Sequence, residues 1–133
     1  MRFHATTPSV ERALAAHGMT IGTAAEVGDL VLLSGWVGVD LETGAVVEGD
    51  IETSTRATIA TIEAVLGDLD LTLDNVVKLT AYLVDPADFG GFGAVFDELF
   101  SAPRPLRTTV IAGLLAGKLE LDVIASREPR TRA

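Results

Sequence analysis

The chain has 133 residues, 48% hydrophobic and 22% charged, with 19 acidic against 10 basic side chains and no cysteine. This is the composition of one globular domain rather than a disordered segment, and it excludes disulfides, thiolate metal sites and a cysteine nucleophile. The formal net charge of -9 disfavours nucleic acid, which needs clustered Lys and Arg, and no stretch has the apolar length of a signal peptide or membrane helix, so a soluble cytoplasmic protein with no membrane partner is expected.

In chain order, "TTPSVERALAAHG" reads as a short helix, with Thr7 as its cap, Pro8 at the first helical position and Gly18 as the stop. It makes residues 1–20 an N-terminal extension. "MTIGTAAEV" reads as a weak strand interrupted by Gly22. Leu30 to Leu33 form a continuous apolar run, which suits a strand covered on both faces. The clearest helix spans "DIETSTRATIATIEAVLGDLD", where Ile51, Ala57 or Thr58, Ile62, Val65 and Leu66 recur near the helical period.

A strand follows at about 76–84. A second helix carries an aromatic stripe of Phe89, Phe92, Phe96 and Phe100, weakened by Gly90, Gly91 and Gly93. Two strands close the pattern at about 107–111 and 119–126. The tail "SREPRTRA" holds the one basic cluster and reads as a frayed, disordered terminus over 127–133. The sum is a single α+β domain over 1–133, with two main helices on one face of a sheet. More apolar strand surface is present than two helices cover, which points to an oligomer interface on the second face.

The last two strands place charge in core-like sequence. Strand period sets Arg107 and Thr109 on one face, and Glu120 and Asp122 opposite Leu119, Leu121 and Val123. They read either as solvent-facing positions or as the polar lining of a pocket. In the second case the planar fork of Arg107 would hold a carboxylate in two parallel hydrogen bonds, and Glu120 would orient water or move protons. His4 and His17 have no metal-ligand spacing around them and read as surface histidines. Ser34, in "LLSGW", lacks the flanks of a nucleophile elbow. Trp36 reads as core or pocket wall.

Three blocks together resemble the reactive-intermediate deaminase (RidA/YjgF) family: "VGDLVLLSGWVGVDLETGAVV", "NVVKLTAYLVDPADFGGFGAVFDELF" and "RPLRTTVIAGLLAGKLELDVIA". The resemblance covers residues 27–126. It implies a chorismate-mutase-like fold with a mixed sheet, and a homotrimer with active sites in the clefts between subunits. It also implies hydrolysis of enamine and imine intermediates such as 2-aminoacrylate to 2-keto acids and ammonia, with no metal and no organic cofactor.

By position, the resemblance makes Arg107 the grip on the substrate carboxylate and Glu120 the acid associated with the hydrolytic water. Ser34 and Gly35 line the pocket, and Thr109 stands where many members have cysteine. Trp36 replaces a glutamine, Gly93 a pocket asparagine, and Ile21 falls near the usual pocket tyrosine. These departures imply a reshaped pocket. They keep open a specialised substrate of aminomuconate or secondary-metabolite type, and a non-catalytic module that binds a small carboxylate.

Overall fold

The strongest helical signal forms the longest element of the computed structural model, which describes all of residues 1–133. Asp50 caps helix α2 (Ile51–Asp68), accepting a hydrogen bond from the Thr53 N–H at 2.8 Å. Its buried stripe mixes Ile59, Ile62, Val65 and Leu66 with three threonines. Thr55 and Thr58 donate back to the carbonyls of Ile51 and Ser54 at 2.7 Å, so their hydroxyls are satisfied inside the core.

Helix α3 (Phe89–Leu99) follows a turn capped by Asp85 and packs beside α2. A Cβ on Gly91 would come within 2.6 Å of the Ile51 side chain. Glycine therefore lets the starts of the two helices meet, and that packing offsets its helical cost of about 1 kcal/mol.

Six strands form one sheet: β1 (Arg2–His4), β2 (Ala24–Val27), β3 (Leu30–Leu33), β4 (Val76–Leu83), β5 (Leu106–Ile111) and β6 (Leu119–Ser126), in the order β1-β2-β3-β6-β4-β5. Only the β4–β5 pair is parallel. The last strand in sequence is therefore interior, between β3 and β4. Its Leu119, Leu121, Val123 and Ala125 join Val31, Leu33, Leu79, Ala81 and Leu83 in the core beneath the helices. The expected α+β class, the two main helices and the last four strands are all present. No helix is long and apolar enough to cross a membrane.

Four expectations need correction. The run Leu30 to Leu33 is covered on one face only: Val31 and Leu33 are buried, while Leu30 and Leu32 are 45% and 38% exposed. They share the open face of the sheet with Phe3, Val27, Leu106 and Val110.

The N-terminal segment contributes strand β1, and β2 begins only after Gly22. Helix α1 (Glu11–Ala16) is preceded by a single 3-10 turn over Pro8–Val10. Thr7 does not cap it, and its buried hydroxyl has no partner. Ser9 ties this turn to α2 instead, donating its N–H and hydroxyl to the Asp68 carboxylate at 2.8 and 2.7 Å.

The tail is pinned, not frayed, as far as Arg130. That guanidinium donates to the carbonyls of Pro103, Leu73, Val76 and Ser101 at 2.5, 2.7, 2.8 and 3.1 Å. Arg127 donates to Leu69 O at 2.6 Å and pairs with Glu26.

Candidate active site

Arg107 and Glu120 stand on opposite faces of the sheet. Arg107 is in register with Leu79, and Leu79 with Val123, so the guanidinium rises on the helix side at the β5 edge. Glu120 is in register with Tyr82, three residues from Val123, and so projects from the open face. Within one chain the two residues do not meet.

Arg107 lies across the aromatic stripe of α3. Its guanidinium carbon is 4.6 Å from the Phe96 ring centre, 5.2 Å from Phe92 and 5.7 Å from Phe89. Such contacts hold a cation at about 0.5–1 kcal/mol each where solvent reaches, and more when desolvated. No carboxylate of the chain pairs with it, so its donors stay available. Sequence pattern sets the phenylalanines in one helical stripe. Their use as a shelf follows from the edge position of β5, which is a matter of sheet order. Thr109 lies two residues along the same face, half-buried. Gly93 borders the stripe, and a Cβ there would meet nothing within 4 Å.

Glu120 borders a cleft of about 370 Å³ where the chain beyond β3 runs along the start of β6. Trp36 and Leu121 exchange two backbone hydrogen bonds of 3.0 Å, which fixes that extension. Gly35 gives Glu120 its room, since a Cβ at Gly35 would sit 3.0 Å from a Glu120 carboxylate oxygen. The other walls include Met19, Ile21, Val37, Val46 and Leu115. Trp36 contributes to the wall but belongs mainly to the core, at 5% exposed, and its indole N–H has no acceptor.

Ser34 lies just outside the cleft. Its hydroxyl donates to Gly22 O at 2.5 Å and ties the segment carrying Ile21 to the end of β3. His17, read from sequence as a surface residue, lines the cleft and bonds Gly44 O through Nε2 at 2.6 Å. No spacing rule links residues 17 and 120, so only the fold reveals this neighbourhood.

The other histidine is structural. His4 Nε2 donates to Glu26 at 2.7 Å, and Arg127 pairs with the second Glu26 oxygen. The His4 bond first, and then Arg127, hold the Glu26 carboxyl down at about 2 from an ordinary 4.5.

With this geometry in place, comparison with known proteins decides the family. The sequence profile described as Endoribonuclease L-PSP matches residues 10–127. The chain belongs to the RidA/YjgF family. It is 36% identical over 107 residues to a RutC family protein of Pyrococcus abyssi, covering 79% of this chain and 84% of that relative. It is 31% identical to the 2-iminobutanoate/2-iminopropanoate deaminase of Salmonella typhimurium, covering 91% and 97%. The crystal structure of RidA from an Antarctic Psychrobacter superposes with a TM-score of 0.83 at 30% identity, covering 94% and 99%. Family members thus carry both deaminase and endoribonuclease names.

Proposed function

We propose that this RidA/YjgF protein hydrolyses reactive 2-imino acids of the 2-aminoacrylate kind to 2-keto acids and ammonia. It does so as a chorismate-mutase-like homotrimer whose site lies between copies. The observation that carries this reading is the open fork of Arg107, steadied on three rings yet bonded to nothing in the chain. A guanidinium in that state suits a ligand carboxylate. Because Arg107 and Glu120 face apart in one copy, the β5 edge of one copy must meet the Glu120 cleft of the next. The apolar open face, with Phe3, Leu30 and Leu32, supplies surface for such packing.

The chemistry asks little of the protein. Arg107 holds the substrate carboxylate and thereby positions the iminium carbon. Water held by Glu120 adds to that carbon, a C–O bond forms, the C=N π pair moves to nitrogen, and Glu120 takes the proton. Glu120 returns the proton to the amine as the C–N bond breaks. The hydroxyl proton passes to Glu120 as C=O forms and from there to the released ammonia, which departs as ammonium. One iminium ion and one water give one 2-keto acid and one ammonium ion. Gly35 leaves space for the Glu120-held water, while Ser34, Trp36, Thr109 and Gly93 shape the surroundings.

A second reading rests on Gly93, which puts no amide beside the arginine: the same halves would then bind a small carboxylate without turnover. The test generates 2-aminoacrylate with a serine dehydratase and follows pyruvate release. Acceleration by the wild type and not by Arg107→Ala is the expected result. Tight binding of a 2-keto acid with no acceleration selects the binding module. The net charge of -9 argues against RNA as a substrate.

A further inference from the structure

We propose that His17 is a further catalytic residue: it protonates the enamine form of the substrate at C3 and so makes the iminium ion that Glu120-held water attacks. The proposal rests on the deaminase reading and adds the step that precedes hydrolysis.

A substrate of the 2-aminoacrylate kind arises as an enamine, whose C2 is not electrophilic. Water adds there only after C3 has gained a proton. In the hydrolysis Glu120 acts as a base on that water, so the C3 proton needs a second source in the same cleft. Of the residues that line it, only Glu120 and His17 exchange protons readily.

The structure fixes which nitrogen of His17 is free to act. Gly44, at φ +79°, presses on α1 so closely that a Cβ there would come within 2.8 Å of Ala13 Cα. This packing brings the Gly44 carbonyl to the imidazole, and Nε2 lies 2.6 Å from its oxygen. A carbonyl only accepts, so Nε2 carries a proton and Nδ1 is the nitrogen that gains and loses one. Nothing in the chain bonds Nδ1, and Gly44 is not part of the cleft wall. His17 is exposed just beyond the end of α1, so solvent recharges the ring after each turnover.

The step balances. The C=C π pair takes the Nδ1 proton of the imidazolium to form a C–H bond at C3, and the substrate nitrogen lone pair closes C=N. His17 is left neutral as the substrate becomes cationic. The net charge beside Glu120 is unchanged, and the new cation faces a carboxylate.

The test feeds the two forms separately. Threonine with a dehydratase supplies the enamine, and 2-aminobutanoate with an L-amino-acid oxidase supplies the imine directly. Lactate dehydrogenase reads 2-ketobutanoate release from both, over baselines without this protein. His17→Gln keeps an amide donor for Gly44 O but no acid. It should lower the enamine-fed to imine-fed ratio at least roughly tenfold, and buffer imidazole should restore the ratio in His17→Ala. The ratio within one variant cancels differences in folded fraction.

In heavy water the wild type should place deuterium at C3 of the trapped 2-hydroxybutanoate with an excess of one configuration over the dehydratase baseline, and His17→Gln should not. A ratio unmoved in both variants overturns the role of His17, as does a wild-type configuration equal to the baseline; imine-fed hydrolysis then leaves the deaminase reading intact. No release above baseline from either source overturns both.

Discussion

Helix α3 carries an arginine on each flank, and the two are used in opposite ways. Arg130 lies 6.0 Å from the Phe100 ring and spends its guanidinium on four backbone carbonyls. Arg107 lies closer to three rings and bonds nothing else in the chain. Both are cations against phenylalanine, so ring contact alone does not mark a ligand site. The difference lies in the N–H donors: one arginine spends them on backbone carbonyls, and the other leaves them unbonded within the chain. Burial lowers the pKa of Arg130, with Asp74 opposing the shift.

The sharpest way to break this comparison is to remove each arginine in turn. Arg107→Ala should lower kcat/KM for a 2-imino acid by roughly 10²–10³, the worth of two hydrogen bonds to a charged group, with thermal unfolding nearly unchanged. Arg107→Lys should rescue little, because an ammonium lacks the planar fork. Arg130→Met should do the reverse. It removes four hydrogen bonds to backbone carbonyls and should cost about 2–4 kcal/mol by urea unfolding, while the folded fraction keeps its KM. Activity loss in both variants at equal stability would erase the distinction.

A smaller effect tests the shelf. Phe89 is 49% exposed, so Phe89→Ala should fold normally. Losing one cation–π contact should raise KM about three- to fivefold with kcat little changed. A change in Tm without a change in KM would make the ring structural only.

The third arginine, Arg127, is tied to an anion, and its signature is pH. Glu26 is held near 2 in the fold against an ordinary 4.5. The deprotonated form is favoured by folding, so its contribution is complete above about 4.5 and is lost as pH falls toward 2. Tm should decline across that window, and Glu26→Gln should flatten the decline.

Much of this was legible in the sequence. The period of 51–68 and the apolar alternation of β4 and β6 gave those elements directly, and strand parity separated Glu120 from its leucine neighbours. Parity works along one strand and is silent between strands. It did not reveal that Arg107 and Glu120 take opposite faces, because that depends on β4 lying between β5 and β6. Three residues from Arg2 to His4 carry no strand signal of their own, and β1 exists because β2 offers it an edge. Arg130 looked like tail because a side chain that binds carbonyls leaves no periodic trace. Trp36 and Gly35 were singled out together, yet one is mostly core and the other is spacing for Glu120.

The interior position of β6 also bears on biosynthesis. Strands β1–β3 and the β4–β5 pair are bridged only by this strand, made last of the six. As the chain emerges from the ribosome it can form α2 and two separate pieces of sheet, but the central hydrogen-bond ladder must wait for residues 119–126. Until then the apolar edges of β3 and β4 are uncovered, a state prone to mispairing with neighbouring nascent chains. Folding is therefore gated by the synthesis of residues 119–126, and a ribosome stalled before Leu119 would hold a chain without its keystone.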